Sequence, residues 1–139
     1  MARTTFNGPV ASQNGFISGH EVGTANAINA SATATAAQVA SGYITSTSAL
    51  ATTITLPTGT DLGTAIGATK GTVLDLYIDN TAGANTVTIA VNTNAILSTA
   101  AADTAGSFGD LTVASGATGL ARYTLMFSSA TAYVFTRTA

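Results

Sequence analysis

From Gly42 to Arg137 the chain repeats one device, a short run in which Thr or Ser alternates with Val, Ile, Leu, Tyr or Phe. Thr52-Thr53-Ile54-Thr55-Leu56, Thr86-Val87-Thr88-Ile89-Ala90-Val91 and Tyr133-Val134-Phe135-Thr136 are the clearest cases. Side chains two apart share a face of a strand, so this period sends the apolar set into a core and leaves hydroxyl and methyl groups outside. The runs predict about eight strands, at 43–47, 51–56, 72–79, 86–91, 95–98, 110–114, 120–128 and 131–137, a number that suits one all-β domain of β-sandwich or jelly-roll-like build. In the third run Leu74, Leu76 and Ile78 share the core face, and Val73, Asp75, Tyr77 and Asp79 the outer one. Val87, Ile89 and Val91 continue the inward set, as do Tyr123, Leu125 and Phe127 on the last long strand. Asn80-Thr81-Ala82-Gly83 reads as a turn, and Ser128-Ser129-Ala130-Thr131 as the close of a terminal hairpin. No internal repeat of ~20 to 50 residues supports a solenoid or propeller.

Two short helices interrupt the strands. Thr35-Ala36-Ala37-Gln38 fits a capping box, with Val39 and Ala40 continuing the turn and Gly42 ending it. After Pro57 stops a strand, Thr60 is the expected cap of a second helix through Asp61, Leu62, Ala65 and Ile66, ended by Gly67 and closing one open end of the core. Residues 1–30 differ from the rest. Asn7-Gly8-Pro9, Asn14-Gly15 and Ser18-Gly19 break the segment every few residues, so it reads as an extended arm ahead of a body at 31–139. Its apolar residues Phe6, Val10, Phe16 and Ile17 are too widely spaced for a core of their own, and dock either on a partner or back on the domain.

Composition narrows the function. A chain of 139 residues allows one domain and one modest core. Hydrophobic residues are 46% of it, but much of that is Ala, so part of the stability is expected from subunit contacts. Only 7% of the residues are charged, against about 25% in an ordinary soluble protein, and the formal net charge is −2. That leaves little material for acid–base chemistry or long-range steering, and points to a structural protein rather than an enzyme. Arg3, Lys70, Arg122 and Arg137 are scattered, so no basic stripe follows a phosphate backbone and nucleic acid is not an expected partner. With no Cys there is no disulfide, thiol nucleophile or zinc knuckle. No secretory signal or membrane-length apolar run is visible, so synthesis in a cytoplasm is expected and a membrane is not an expected partner.

Candidate chemistry is thin. His20, the single histidine, lies in the glycine-broken arm beside Glu21, a poor frame for a Ser-His-Asp geometry. Asp75 and Asp79 are four apart on one strand, about 13 Å along it, so they read as solvated carboxylates rather than joint metal ligands. Asp79-Asn80-Thr81 and Asp103 offer a calcium site at a subunit contact, without the spacing of an EF-hand. The glycine-rich 63–71 stretch lacks the spacing and the Lys-Ser/Thr pair of a phosphate loop, so turn and cap duty accounts for it better. Tyr43, Tyr77, Tyr123 and Tyr133 either line a glycan groove or pack in a core or between subunits. No cofactor and no catalytic or metal-binding residue is expected.

Several segments carry a family likeness: Thr5-Phe6-Asn7-Gly8-Pro9-Val10 with Asn14-Gly15-Phe16, Ala37-Gln38-Val39-Ala40-Ser41-Gly42-Tyr43-Ile44-Thr45, Thr53-Ile54-Thr55-Leu56-Pro57, and Asp79-Asn80-Thr81-Ala82-Gly83-Ala84-Asn85-Thr86-Val87-Thr88. With the closing Arg122 to Arg137 hairpin they resemble the capsid decoration, or cement, proteins of tailed bacteriophages. The resemblance implies a compact β-rich body, often trimeric, seated on the outer face of the head where capsid subunits meet. Its expected partners are the major capsid protein and other copies of itself. It implies an arm that binds the shell through Phe6, Asn7, Pro9, Val10, Phe16 and Ile17. Related β-modules occur in head fibres and tail proteins, so a host-glycan adhesion module is the alternative.

Overall fold

The computed structural model describes residues 26–97 and 111–139. The fold is mainly β, as the alternation predicts. Among the described residues the strands are β1 (Ala32–Thr33), β2 (Tyr43–Thr45), β3 (Thr52–Thr55), β4 (Val73–Asp79), β5 (Val87–Ala90), β6 (Ala95–Leu97), β7 (Thr112–Val113), β8 (Leu120–Ser129) and β9 (Ala132–Arg137). The helices are α1 (Ala36–Ala40) and α2 (Gly59–Ile66), and a 3-10 turn covers Gly116–Thr118.

The strands form a four-stranded sheet in the order β1-β3-β5-β7 and a five-stranded sheet in the order β2-β4-β8-β9-β6. From β1 to β8 the chain changes sheet at every strand, so neighbours within a sheet are separated by an excursion through the other. Such excursions let β1 pair with β3, β3 with β5, β2 with β4, and β6 with β9 in parallel. Parallel strands cannot be joined by a tight hairpin. The antiparallel contacts are β4–β8, β5–β7 and the terminal hairpin β8–β9, which has a register shift between Phe127 and Ser129.

One apolar cluster joins both sheets and both helices. It includes Ile54, Val87, Ile89 and Val113 of the smaller sheet, and Ile44, Leu76, Ile78, Tyr123, Leu125, Phe127, Tyr133 and Phe135 of the larger. Val39 of α1 and Leu62 of α2 complete it, fully buried. At roughly 1.5–3 kcal/mol per large buried side chain, this shared burial is the main stabilising term. Leu76, Ile78, Tyr123, Leu125 and Phe127 thus face inward as expected, and Leu74 packs at the margin. Val91 does not follow Val87 and Ile89 inward: β5 ends at Ala90, the pleat stops there, and Val91 stands exposed.

The first helix starts as its sequence predicts. The Thr35 side chain accepts from the Gln38 backbone amide, and the Gln38 side chain accepts from that of Thr35. Gly42, at φ 77°, turns the chain out of α1. The cap of α2 is Thr58 rather than Thr60. Thr58 is extended, at φ −61° and ψ 153°, and its hydroxyl accepts from the Asp61 amide, so the helix begins directly behind Pro57. Gly67 closes α2 in the left-handed region at φ 61°. One face of α2 lies close against the backbone of the β8–β9 hairpin. A Cβ at Gly63 would overlap the Ala130 carbonyl oxygen, and one at Gly59 that of Thr131. The Tyr133 hydroxyl donates to the Pro57 carbonyl at 2.8 Å, and burial pushes its phenol pKa up.

Residues 26–30, assigned to the arm by sequence, are attached to the body. Ala27 bridges to Thr45 alongside β2, the Ile28 amide donates to the Thr45 carbonyl, and the Ile28 side chain is buried. The chain therefore joins the body at the β2 edge of the five-stranded sheet.

Candidate functional site

The outer face of the five-stranded sheet gathers most of the chain's exposed large apolar side chains. Successive residues of a strand point to opposite faces. On β4 this leaves Val73, Asp75, Tyr77 and Asp79 outside, and on β8 Leu120, Arg122, Thr124 and Met126. Of six exposed large apolar residues in the described chain, Val73, Tyr77, Leu120 and Met126 are on this face, between 38% and 58% exposed; Leu50 and Val91 lie elsewhere.

Register arranges them in rows. Val73 lies opposite Met126, and Met126 opposite the half-buried Val134 of β9, so an apolar row crosses three strands. Next along the strands come Asp75, Thr124 and Thr136, then Tyr43, Tyr77 and Arg122, and last Thr45, Asp79 and Leu120. The smaller sheet differs. The residues that alternate with its core are Thr53 and Thr55, Thr88 and Ala90, and Thr112, which gives the uncharged hydroxyl and methyl surface the sequence suggests.

The charged groups on the larger face are tied down. Asp75 accepts from the Thr124 hydroxyl at 2.6 Å, and Arg122 Nε donates to Thr138 Oγ1 at 3.0 Å. Asp79 accepts from the Thr81 hydroxyl at 2.6 Å, the Tyr43 hydroxyl at 2.6 Å and the Thr81 amide at 2.9 Å. Those three donors, the Thr81 hydroxyl first, hold its carboxyl below the usual range. The hydrogen bond to Asp79 in turn raises the Tyr43 phenol, with burial and the nearby negative charge adding to it. Asp79 is thus occupied as a local clamp on the β4 turn. No group of three His, Cys, Asp or Glu side chains among the described residues is placed to hold a metal.

The sequence candidates divide as follows. Phe6, Asn7, Pro9, Val10, Phe16 and Ile17, with His20 and Asp103, lie outside the described residues. The four tyrosines are not brought together. Tyr123 and Tyr133 are in the core, where Tyr133 packs near Phe127 and Phe135 with ring centroids 5.3 Å and 6.4 Å away. Tyr43 and Tyr77 are register partners on the outer face. The glycine-rich 63–71 stretch serves as a helix seat and cap.

Sequence reading did not identify the part played by Asn80. Fully buried at the end of β4, it donates through Nδ2 to the carbonyls of Asn85 at 2.8 Å, Ala114 at 3.0 Å and Val113 at 3.3 Å. Its backbone amide donates to Gly119 and its carbonyl accepts from Gly83. One side chain so ties the β4–β5 turn to β7 of the other sheet. Arg137 makes a second tie, donating through Nη1 to the Thr112 carbonyl at 2.8 Å. These contacts span ~25 to 34 residues of sequence, and no local pattern signals them. No helix of the described residues is long and apolar enough to cross a membrane. No protein-family model matches the chain, and no similar curated protein or solved structure was found.

Proposed function

We propose that the chain is a structural virion protein of a tailed bacteriophage, bound to the outer surface of the head, where it stabilises contacts between capsid subunits. In this reading the body is a β-sandwich, the segment ahead of Asn26 is an arm that engages the major capsid protein, and the working form is a homotrimer. The observation that carries it is the character of the two outer faces: one is Thr and Ala, the other mixes exposed apolar residues with a few internally bonded charges. Such surfaces lose water without stranding ions, which suits a protein that acts by burial against neighbours. Burying Phe6, Val10 and Phe16 of the arm contributes roughly 1.5–3 kcal/mol each before ordering costs, and trimeric valency multiplies the attachment.

Co-sedimentation with undecorated heads tests the reading. The full chain is expected to pellet with heads with little dependence on salt, and to raise the temperature at which they open, because a ligand of the intact lattice stabilises it. Phe6→Ser with Phe16→Ser, or removal of residues 1–25, is expected to abolish pelleting while the circular dichroism of the body persists. Saturated binding without any change in head opening refutes a cementing role. The second reading, an adhesion module for a host-cell glycan, draws on the Tyr43–Tyr77 pair beside Asp79 on an open face. Binding to host-surface glycan that Tyr77→Ala removes, together with failure to pellet with heads, would favour it.

A further inference from the structure

We infer that one water molecule is built into the interior of this protein, bridging Oγ of Ser46 and Oδ1 of Asn80 where β2 and β4 end. The site belongs to the body itself and holds whichever function the outer faces serve.

Both oxygens are taken out of solvent, Ser46 being 1% exposed and Asn80 0%, and neither has a hydrogen-bond partner among the described residues. Register puts the two residues side by side. The β2–β4 ladder runs to Thr45 and Asp79, and the Ser46 amide extends it by one bond, to the Asp79 carbonyl at 2.8 Å. Ser46 and Asn80 thus follow Ile44 and Ile78 on the inward face. Strands ~4.8 Å apart space two such side chains for a bridging water rather than a direct bond. The Asn80 amide has only one usable orientation. Its Nδ2 donates to the carbonyls of Asn85, Ala114 and Val113, so Oδ1 is fixed on the other side, over Gly83, and a flip would set it against three carbonyl oxygens. The loop that carries Ser46 is laced to the turn after Asn80: the Ala84 amide donates to the Ser48 carbonyl at 3.0 Å, and that of Thr52 to the Thr86 carbonyl at 3.1 Å.

What these groups can hold is neutral and small. The adjacent carboxylate, Asp79, alternates to the opposite face and is taken up by Thr81 and Tyr43, so nothing here offsets the charge of an ion. An amide oxygen only accepts, whereas a hydroxyl both donates and accepts. Water donates to the first and completes either role for the second, within the about two to four polar partners an internal water takes. Each oxygen is thereby spared the cost of burial without a partner. Through the water the 46–51 loop joins the tie that Asn80 makes between the β4–β5 turn and β7.

A high-resolution crystal structure of the full chain, with Ser46→Ala beside it, tests the site. The wild type is expected to show a density peak ~2.6–3.0 Å from both Oγ and Oδ1, and Ser46→Ala to lose it. Oxygen-17 magnetic relaxation dispersion reads the same site in solution, where Ser46→Ala should lose one long-lived water. In urea unfolding, Ser46→Ala should lower the folded-to-unfolded ratio about three- to tenfold, the net worth of a satisfied buried hydroxyl. An idle hydroxyl predicts the other sign, since its removal relieves an unmet burial cost and leaves the ratio unchanged or higher. That sign overturns the inference. So does a direct hydrogen bond between Ser46 and Asn80 with no density between them, a peak whose height and contacts mark an ion, or an unchanged count of long-lived waters.

Discussion

Replacing Asn80 by Asp changes one atom type at a fully buried position and is expected to be among the most damaging substitutions in the body. The Asn80 amide shares its two hydrogens among the carbonyls of Asn85, Ala114 and Val113, at 2.8, 3.0 and 3.3 Å. An ionised carboxylate there donates to none of them and faces their oxygens instead. Each hydrogen bond contributes a net ~0.5–1.5 kcal/mol, and each carbonyl left buried without a donor costs ~1–3 kcal/mol, so Asn80→Asp should lose about 3–5 kcal/mol at pH 7. That is a large share of the ~5–15 kcal/mol typical of a whole domain. The loss should depend on pH with a fixed sign. Burial and the facing carbonyl oxygens both disfavour the charged form, so the introduced carboxyl has a folded-state pKa above its unfolded value of ~3.9. A raised pKa means that the protonated form is the better tolerated one. The defect relative to wild type is therefore smallest below about pH 4 and grows as pH rises toward the folded-state value. Urea unfolding followed by far-ultraviolet circular dichroism, at intervals from pH 4 to pH 7, measures it. A variant within ~0.5 kcal/mol of wild type at pH 7, or a gap that does not widen with pH, refutes the account of Asn80 as the tie between the sheets.

Two further outcomes follow from local geometry. Gly63→Ala, which in an open helix would stabilise by about 1 kcal/mol, should here destabilise by roughly 1–3 kcal/mol, since the added carbon displaces the Ala130 carbonyl of the hairpin; thermal melting checks the sign. Asp79 has a carboxyl held below its ordinary value by its Thr81 and Tyr43 donors, so it adds stability above that ordinary value, which is lost as pH falls through the depressed one; Asp79→Asn should flatten this acid limb in urea unfolding below about pH 4.

The alternation of Thr with β-branched and aromatic residues was enough to place every described strand but the two-residue β1, because the period of a strand is a property of the backbone and needs no partner. β4, β5, β8 and β9 fall where the runs predict them, and the Thr35–Gln38 box starts α1, since these features are satisfied within a few residues. The faces of β4 and β8 were legible for the same reason. The cap of α2 falls at the extended Thr58, whose hydroxyl reaches the Asp61 amide, rather than at Thr60, which lies inside the helix. What the sequence left open depends on distant encounters. Every strand reads alike whether its neighbour comes from the next run or the next but one, so the alternation between sheets and the resulting parallel pairs emerge only when both sheets share one core. The same holds for Gly59 and Gly63, whose need to be glycine arises from a hairpin about 70 residues later in the chain, and for Asn80, whose carbonyl partners include Val113 of the other sheet and Ala114 just past it. The apolar row on the outer face is the clearest case. Val73, Met126 and Val134 are unremarkable as scattered exposed residues. Strand register alone, which is fixed by the burial of the opposite face, lines them up into a surface.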